Sequence, residues 1–453
     1  MKKIMNTTRN SRLLLACLGA FLIFLLAACG SGGTTSGTPT TTGGQTPGVT
    51  PTTNGGSAPA PLPATQTSCL AAGTARAAVM TPLTLGNHPN IVYTVNEFQG
   101  HTPTFGTLKR YDVTNGNKTE IVKLPNAIMN DAQISADGQW IAFSASVGGV
   151  QKLQLVRVDG QELQTLYCGN SIYNLQWSAD QKLIAFVNYQ NNASDIYLLN
   201  VQNGSLQRVF HPVNSHAKGL DGYRILTWLD ATHLYLITQP LDQPADTLSI
   251  LDITRGSDQD SNALQQVFMV SPSHSAFCWD SDSSYNGPSL FISGCNASDP
   301  RAGNNVQGPS SLVVEPATGG SQHSILNSPK MAITSVRAIS KTTLLLVVNN
   351  QGTNADTSQN GLWKINTDGT GLTRIAIVGA GVSSVGNMNL NPYTQYPWSN
   401  ISRDSSMYAL QINHTSGQPT TSLVYGSISG GSQTVFADIG AGTQLAIVGW
   451  TTI

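Results

Sequence analysis

The chain has 453 residues, of which 40% are hydrophobic and only 10% charged, with 44 Gly and 22 Pro. So little charge and so many turn formers exclude a coiled coil and a multi-pass membrane protein, and the composition is not that of a wholly disordered chain. The 23 basic and 24 acidic residues nearly cancel, which leaves no basic surface for nucleic acid.

The N-terminus reads as an address. Residues 1–28 carry Lys2, Lys3, Arg9 and Arg12 and no acid, and the run Leu13–Ala28 is apolar. That run is shorter than the ~20 residues of a membrane-spanning helix. A basic start, a short apolar stretch and small residues at its end make a secretory signal peptide. The run closes in Leu26-Ala27-Ala28-Cys29-Gly30, which resembles the lipobox of bacterial lipoproteins. The resemblance implies that Cys29 is lipidated with palmitate-type acyl chains and becomes the mature N-terminus. It also implies a lipid-anchored protein on the extracytoplasmic face of the cell membrane. Without residues 1–28 the chain has 19 basic and 24 acidic residues, a net charge of −5. Charge attraction to anionic headgroups is therefore not its membrane-binding force.

Residues 30–68 contain no charged and no aromatic residue. Such a segment buries too little apolar surface to offset its ordering entropy. With Cys29 it is expected to be a flexible Gly/Thr/Pro/Ser linker, with a reach of roughly 35 Å.

From residue 69 to residue 453 short runs rich in Val, Ile, Leu and Tyr alternate with Gly, Asn, Asp and Ser turns. This is the pattern of an all-β protein with many evenly spaced strands. Ser135-Ala136-Asp137 recurs as Ser178-Ala179-Asp180, and Ile141-Ala142-Phe143 as Ile184-Ala185-Phe186, both 43 residues on. Ile134, Trp177, Trp228, Trp279, Ile339, Trp398 and Trp450 mark the ends of seven successive first strands. Each unit is long enough for four strands, which predicts a seven-bladed β-propeller, with six or eight blades as alternatives. The last marker lies three residues from the C-terminus. Residues 91–95, 107–113 and 119–124 supply three strands without a first. The C-terminal strand 444–453 is therefore expected to complete the N-terminal blade and close the ring.

The segments Ser135–Leu166 and Leu362–Ile375 resemble the repeats of TolB-type, WD40-like (PD40) propellers, with an Asp-Gly turn, an Ile-Ala-Phe strand and a later Asp-Gly turn. Ala136 stands where that repeat usually has Pro. The resemblance implies the fold and, through TolB, a structural role in envelope assembly as one alternative. Such propellers serve many functions.

In this arrangement turns such as Asp137-Gly138, Asp180-Gln181 and Asp368-Gly369 emerge at one end of the blades. The connectors 96–106, 188–194, 211–222, 239–246, 295–310, 349–361 and 379–393 emerge at the other. Long connectors crowd one end, and that end is the expected binding face. Its candidate contact residues are Phe98, His101, Phe105, Tyr189, Tyr393 and Tyr396, since aromatic side chains on rigid loops offer large contact areas.

Chemistry-bearing motifs are few. Cys69, Cys168, Cys278 and Cys295 can form two disulfides in three pairings. Cys69–Cys168 would latch the entering chain to the ring, and Cys278–Cys295 would join neighbouring strands. No Gly-x-Ser-x-Gly, His-Glu-x-x-His or phosphate loop occurs. Asp258–Asn262 and Asp280–Ser284 alternate oxygen-bearing residues as calcium loops do, but lack the Gly and Glu of such loops. No metal, cofactor or catalytic residue is expected. The sequence thus predicts a membrane-anchored module that binds a protein, peptide or glycan. A hydrolase or lyase acting at the central channel is the enzymatic alternative.

Overall fold

The computed structural model describes residues 66–453 except 191–192, 213–222, 239–246, 256–263, 270–278, 283–288, 298–305, 353–354, 378–381, 386–399, 415–420 and 440–441. The signal sequence, Cys29, Cys278, Tyr393, Tyr396, Trp398 and the Asp258–Asn262 cluster lie outside the described residues.

Twenty-eight strands form seven antiparallel four-stranded sheets. Blade 1 is ordered β28-β1-β2-β3, from Thr443–Thr452, Pro89–Gln99, Thr102–Asp112 and Lys118–Pro125. Its innermost strand is the C-terminal one, paired to β1 from Glu97↔Thr443 to Pro89↔Thr452. Blade 2 is β4–β7 (Ala127–Ile134, Trp140–Val147, Val150–Arg157, Gln164–Gly169). Blade 3 is β8–β11 (Ile172–Trp177, Leu183–Gln190, Ala193–Asn200, Leu206–Phe210). Blades 4 and 5 are β12–β15 (Tyr223–Trp228, His233–Thr238, Thr247–Asp252, Leu264–Met269) and β16–β19 (Trp279–Asp282, Ser289–Ala297, Val306–Pro316, His323–Ser328). Blade 6 is β20–β23 (Ile333–Ala338, Thr343–Val348, Gly361–Asn366, Thr373–Ile377). Blade 7 is β24–β27 (Val382–Val385, Met407–His414, Thr421–Ser427, Thr434–Ile439).

The hydrophobic core lies between blades. Each sheet alternates its apolar side chains to both faces, and each face packs on the next blade. Among the described residues every interface of the ring holds such a cluster, and that between blades 5 and 6 holds a second, small one of Cys295, Val306 and Ala332. Between blades 2 and 3, for example, Trp140, Leu153 and Leu166 meet Trp177, Phe186 and Leu199. Between blades 7 and 1, Leu423 and Phe436 meet Ile91, Tyr93 and Trp450.

The repeated turn has a side-chain cause. Ser135 Oγ donates to Asp137 Oδ1 (2.5 Å), which accepts Gln139 N (2.9 Å), while Ser135 Oγ accepts Trp140 N (3.0 Å). Ser178 and Asp180 repeat this. So do Ser402 and Asp404 of blade 7, a third copy not read from the sequence. The fourth turn residue has positive φ each time: Gly138 at 77°, Gln181 at 60° and Ser405 at 57°.

Several expectations need correction. Segments 96–106 and 188–194 are not long loops. Strands β1 and β2 run to within two residues of each other, as do β9 and β10. Pro103 is tolerated because it sits near the end of its ladder, opposite Phe98. The segment 379–393 is not simply a connector, since β24 lies within it. Trp279 does not end its strand: it opens β16, opposite Gly294. Ile339 lies one residue beyond β20, so Ala338 holds the equivalent place. Asp280 and Asp282 lie inside β16 rather than in a turn.

A strap precedes β1. Gln66 bridges to Gln164 in parallel, and Cys69 is joined to Cys168 across a Cα separation of 5.8 Å. The chain then crosses the short-turn end of blades 3, 2 and 1. Ala78 N donates to Val201 O (2.6 Å), Val79 N to Gln164 Oε1 (2.9 Å) and Leu83 N to Gln139 Oε1 (2.7 Å). Ala75, Ala78 and Met80 cover the cluster between blades 2 and 3, and Leu83 and Leu85 that between blades 1 and 2. Gly204 permits this approach, because a Cβ there would lie 2.5 Å from Ala77 N.

Candidate functional site

The innermost strands of neighbouring blades lie side by side, each with one edge outside its own sheet. Such edges need partners. Two junctions solve this with side-chain acceptors at the same pair of register positions. From blade 2, Asp131 Oδ2 accepts Leu175 N (2.9 Å) and Gln133 Oε1 accepts Trp177 N (2.6 Å) of blade 3. From blade 5, Asp280 Oδ2 accepts Val336 N (3.1 Å) and Asp282 Oδ2 accepts Ala338 N (2.6 Å) of blade 6. The two carboxylates that resemble part of a calcium loop are thus links between blades. Asp280 also accepts from Ser335 Oγ (2.7 Å) and pairs with the buried Arg337 guanidinium. Burial pushes the Asp280 carboxyl up, while Arg337 opposes that shift.

The junction between blades 1 and 2 departs from this pattern. Asp131 lies opposite Ser144 and Asp280 opposite Ser293, and the corresponding hydroxyl residue of blade 1, Thr94, lies opposite Ala446. Likewise Gln133 lies opposite Ala142, and its counterpart opposite Val92 is Gly449. Neither Ala446 nor Gly449 has a side-chain acceptor, so this pair of links cannot form. Blade 1 is joined to blade 2 instead from β1, near the loop end, and from β28 at the short-turn end, where Thr451 Oγ1 donates to Gly138 O (2.6 Å). Near the loop end Asn96 Oδ1 accepts Met129 N (2.8 Å) and Asn96 Nδ2 donates to Met129 O (3.0 Å).

A cleft of ≈ 380 Å³ opens at this seam. One wall is Thr443–Val448 of β28, six consecutive residues, and another is Met129–Ala132 of β4. Blade 7 adds Asn400, Gln411, Thr421 and Ile439. The walls come from the loop-side halves of their strands, so the cleft belongs to the end where long connectors were expected. Its polar lining is almost entirely amides and hydroxyls: Asn96, Asn130, Gln444, Thr94 and Thr443 with those of blade 7. Among the described residues Asp131 is the one ionisable side chain of this lining, and it is buried. Burial pushes its carboxyl well above the usual carboxylate range, although backbone N–H groups of Leu175, Ala132 and Asn174 oppose the shift. Its Oδ1 is buried without a hydrogen-bond partner.

The sequence candidates lie elsewhere at the same end. Phe98 is half-buried at the end of β1, and His101 is exposed in the β1–β2 turn. Phe105 carries the Lys123 ammonium 4.0 Å from its ring centre. Tyr189 is half-buried near the end of β9. None of the four lines the cleft. The cleft residues carried no sequence signal, because, Asp131 apart, they are amide, hydroxyl and apolar residues from three blades that share no motif or spacing. Cys295 is buried and disulfide-bonded. Among the described residues, no three His, Cys, Asp or Glu side chains gather as metal ligands, and no helix is long and apolar enough to cross a membrane.

No protein-family model matches the chain, and no curated protein matches it. Solved structures do. A prolyl endopeptidase superposes with a TM-score of 0.51 at 10% identity, covering 83% of this chain and 50% of the peptidase. This chain thus spans about half the length of that enzyme. The β-propeller domain of the Trilobed protease from Pyrococcus furiosus gives 0.50 at 13% identity, covering 81% of this chain and 98% of that domain. TolB from Acinetobacter baumannii gives 0.41 at 12% identity, covering 63% of each chain. At these identities the likeness is one of fold. The Pyrococcus domain is described as having an open velcro topology, whereas here β28 pairs with β1.

Proposed function

We propose that this protein is a membrane-anchored, extracytoplasmic lipoprotein whose propeller is a binding module for a protein, peptide or glycan. The observation that carries the binding reading is the seam cleft, walled by amides and hydroxyls at the loop-rich end. Such groups donate and accept in fixed directions, and they orient a polar ligand without needing opposite charge. The anchoring reading rests on the basic start, the apolar run and Leu26-Ala27-Ala28-Cys29, followed by an uncharged tether. A tether of that composition lets the module search the space around its anchor.

Metabolic labelling with an alkyne fatty acid tests the anchor. The wild type is expected to incorporate label and Cys29→Ser none. Equal labelling of both, or of neither, would contradict the anchored reading. Binding through the cleft is tested by photo-cross-linking from position 444 in intact cells.

A further inference from the structure

We infer that the seam between blades 1 and 2 takes an extended, uncharged peptide segment of another polypeptide as an added strand on the free edge of β28. This rests on the binding-module reading and narrows it to one ligand class.

The first ground is topological. Strand β28 is the end strand of its sheet, paired only with β1. Its Thr443–Val448 stretch lines the cleft as consecutive residues, which is how a strand edge contributes, through backbone as well as side chains. Six residues of strand span about 20 Å. The second ground is the comparison among junctions. Asp131 with Gln133, and Asp280 with Asp282, close two other junctions by accepting backbone N–H groups. Ala446 and Gly449 leave this one without such links. Strand addition is the general way an exposed sheet edge recruits a peptide, with backbone hydrogen bonds supplying affinity.

The third ground is charge. Among the described residues no Lys, Arg, His or Glu lines the cleft, and Asp131 is buried with Oδ1 unpartnered. A charged peptide side chain entering here would lose its hydration, with no Lys or Arg among the described lining to meet an anion and only the buried Asp131 carboxyl to meet a cation. An uncharged peptide loses little, and its backbone carbonyls match the amide donors of Asn130 and Gln444.

The test uses the full-length protein in detergent and a pool of N-acetylated, C-amidated hexapeptides built from Gly, Ala, Val, Ser, Thr and Asn. Enriched peptides are expected to protect the amides of 443–448 from hydrogen exchange. N-methylation of the residues whose N–H groups face β28 should weaken binding by about tenfold, whereas methylation of the alternate residues should not. Ala446→Asp restores an acceptor at the position used by the two linked junctions, and is expected to weaken capture by at least about tenfold. If that variant does not fold, the exchange footprint and the methylation pattern on the wild type decide. Failure to enrich any peptide would overturn the inference. So would a footprint away from 443–448, indifference to N-methylation, or unchanged affinity in a folded Ala446→Asp. If peptides fail while Gln444 still cross-links a partner in cells, the strand-addition inference falls and the binding module stands. If both fail, both fall.

Discussion

Replacing Cys69 and Cys168 together by Ser is expected to lower the unfolding free energy by about 4 kcal/mol, the chain-entropy effect of a cross-link closing a loop near a hundred residues long. The bond joins positions 99 residues apart. It holds the entering chain beside β7, where Gln66 meets Gln164 and Thr67 O accepts Thr165 Oγ1 (3.0 Å). The strap that follows covers two interblade clusters with Ala75, Ala78, Met80, Leu83 and Leu85. Once the bond is gone, the strap is held by that apolar packing and by hydrogen bonds, each contributing about 1 kcal/mol. Equilibrium denaturation of the double variant in urea measures the loss. A change below about 1 kcal/mol would mean that the strap is fixed without the bond.

Asp280→Ala is expected to cost about 3–5 kcal/mol, the usual result of stranding a buried charge. Arg337 is 4% exposed and pairs with Asp280 Oδ2. The same oxygen accepts from Ser335 Oγ and Val336 N. Removing the carboxylate therefore leaves a guanidinium, a hydroxyl and a backbone amide without this acceptor at the junction of blades 5 and 6. Asp280→Asn keeps an oxygen at that position and is expected to lose less. The ordering wild type, Asn, Ala in denaturation midpoints checks the assignment. Equal stability of all three would show that the junction does not depend on this link.

The parts of the fold that were legible in the sequence are those that repeat chemistry. Ser135-Ala136-Asp137 and Ser178-Ala179-Asp180 announce a turn because a hydroxyl and a carboxylate at that spacing bond each other and the following amides. Ring closure was legible because 444–453 is a strand without a blade and 91–124 a blade without a first strand. What escaped is irregular. The third turn, Ser402–Ser405, follows residues 386–399 and three blades without the motif, so no short repeat spacing ties it to the first two. The strap is held largely through the side chains of Gln164, Glu162 and Gln139, which carry no local pattern. Phe98, Phe105 and Tyr189 drew attention as aromatics near Gly and Asn, yet they lie in strands that continue further than those residues indicate. The cleft escaped for a different reason. Ala446 and Gly449 become informative only when set beside Asp131, Gln133, Asp280 and Asp282 in register, and strand register across blades is a property of the folded ring.

The most direct measurement places a photoreactive benzoylphenylalanine at Gln444, exposed in the cleft, and separately at Gln202, exposed in a turn at the opposite end of blade 3. Both variants are irradiated in intact cells. The account predicts a discrete cross-linked product from position 444, lost in the Ala446→Asp background, and none from position 202. Equal products at both positions, or none at 444 from folded protein present at the membrane, would contradict a binding site at the seam of blades 1 and 2.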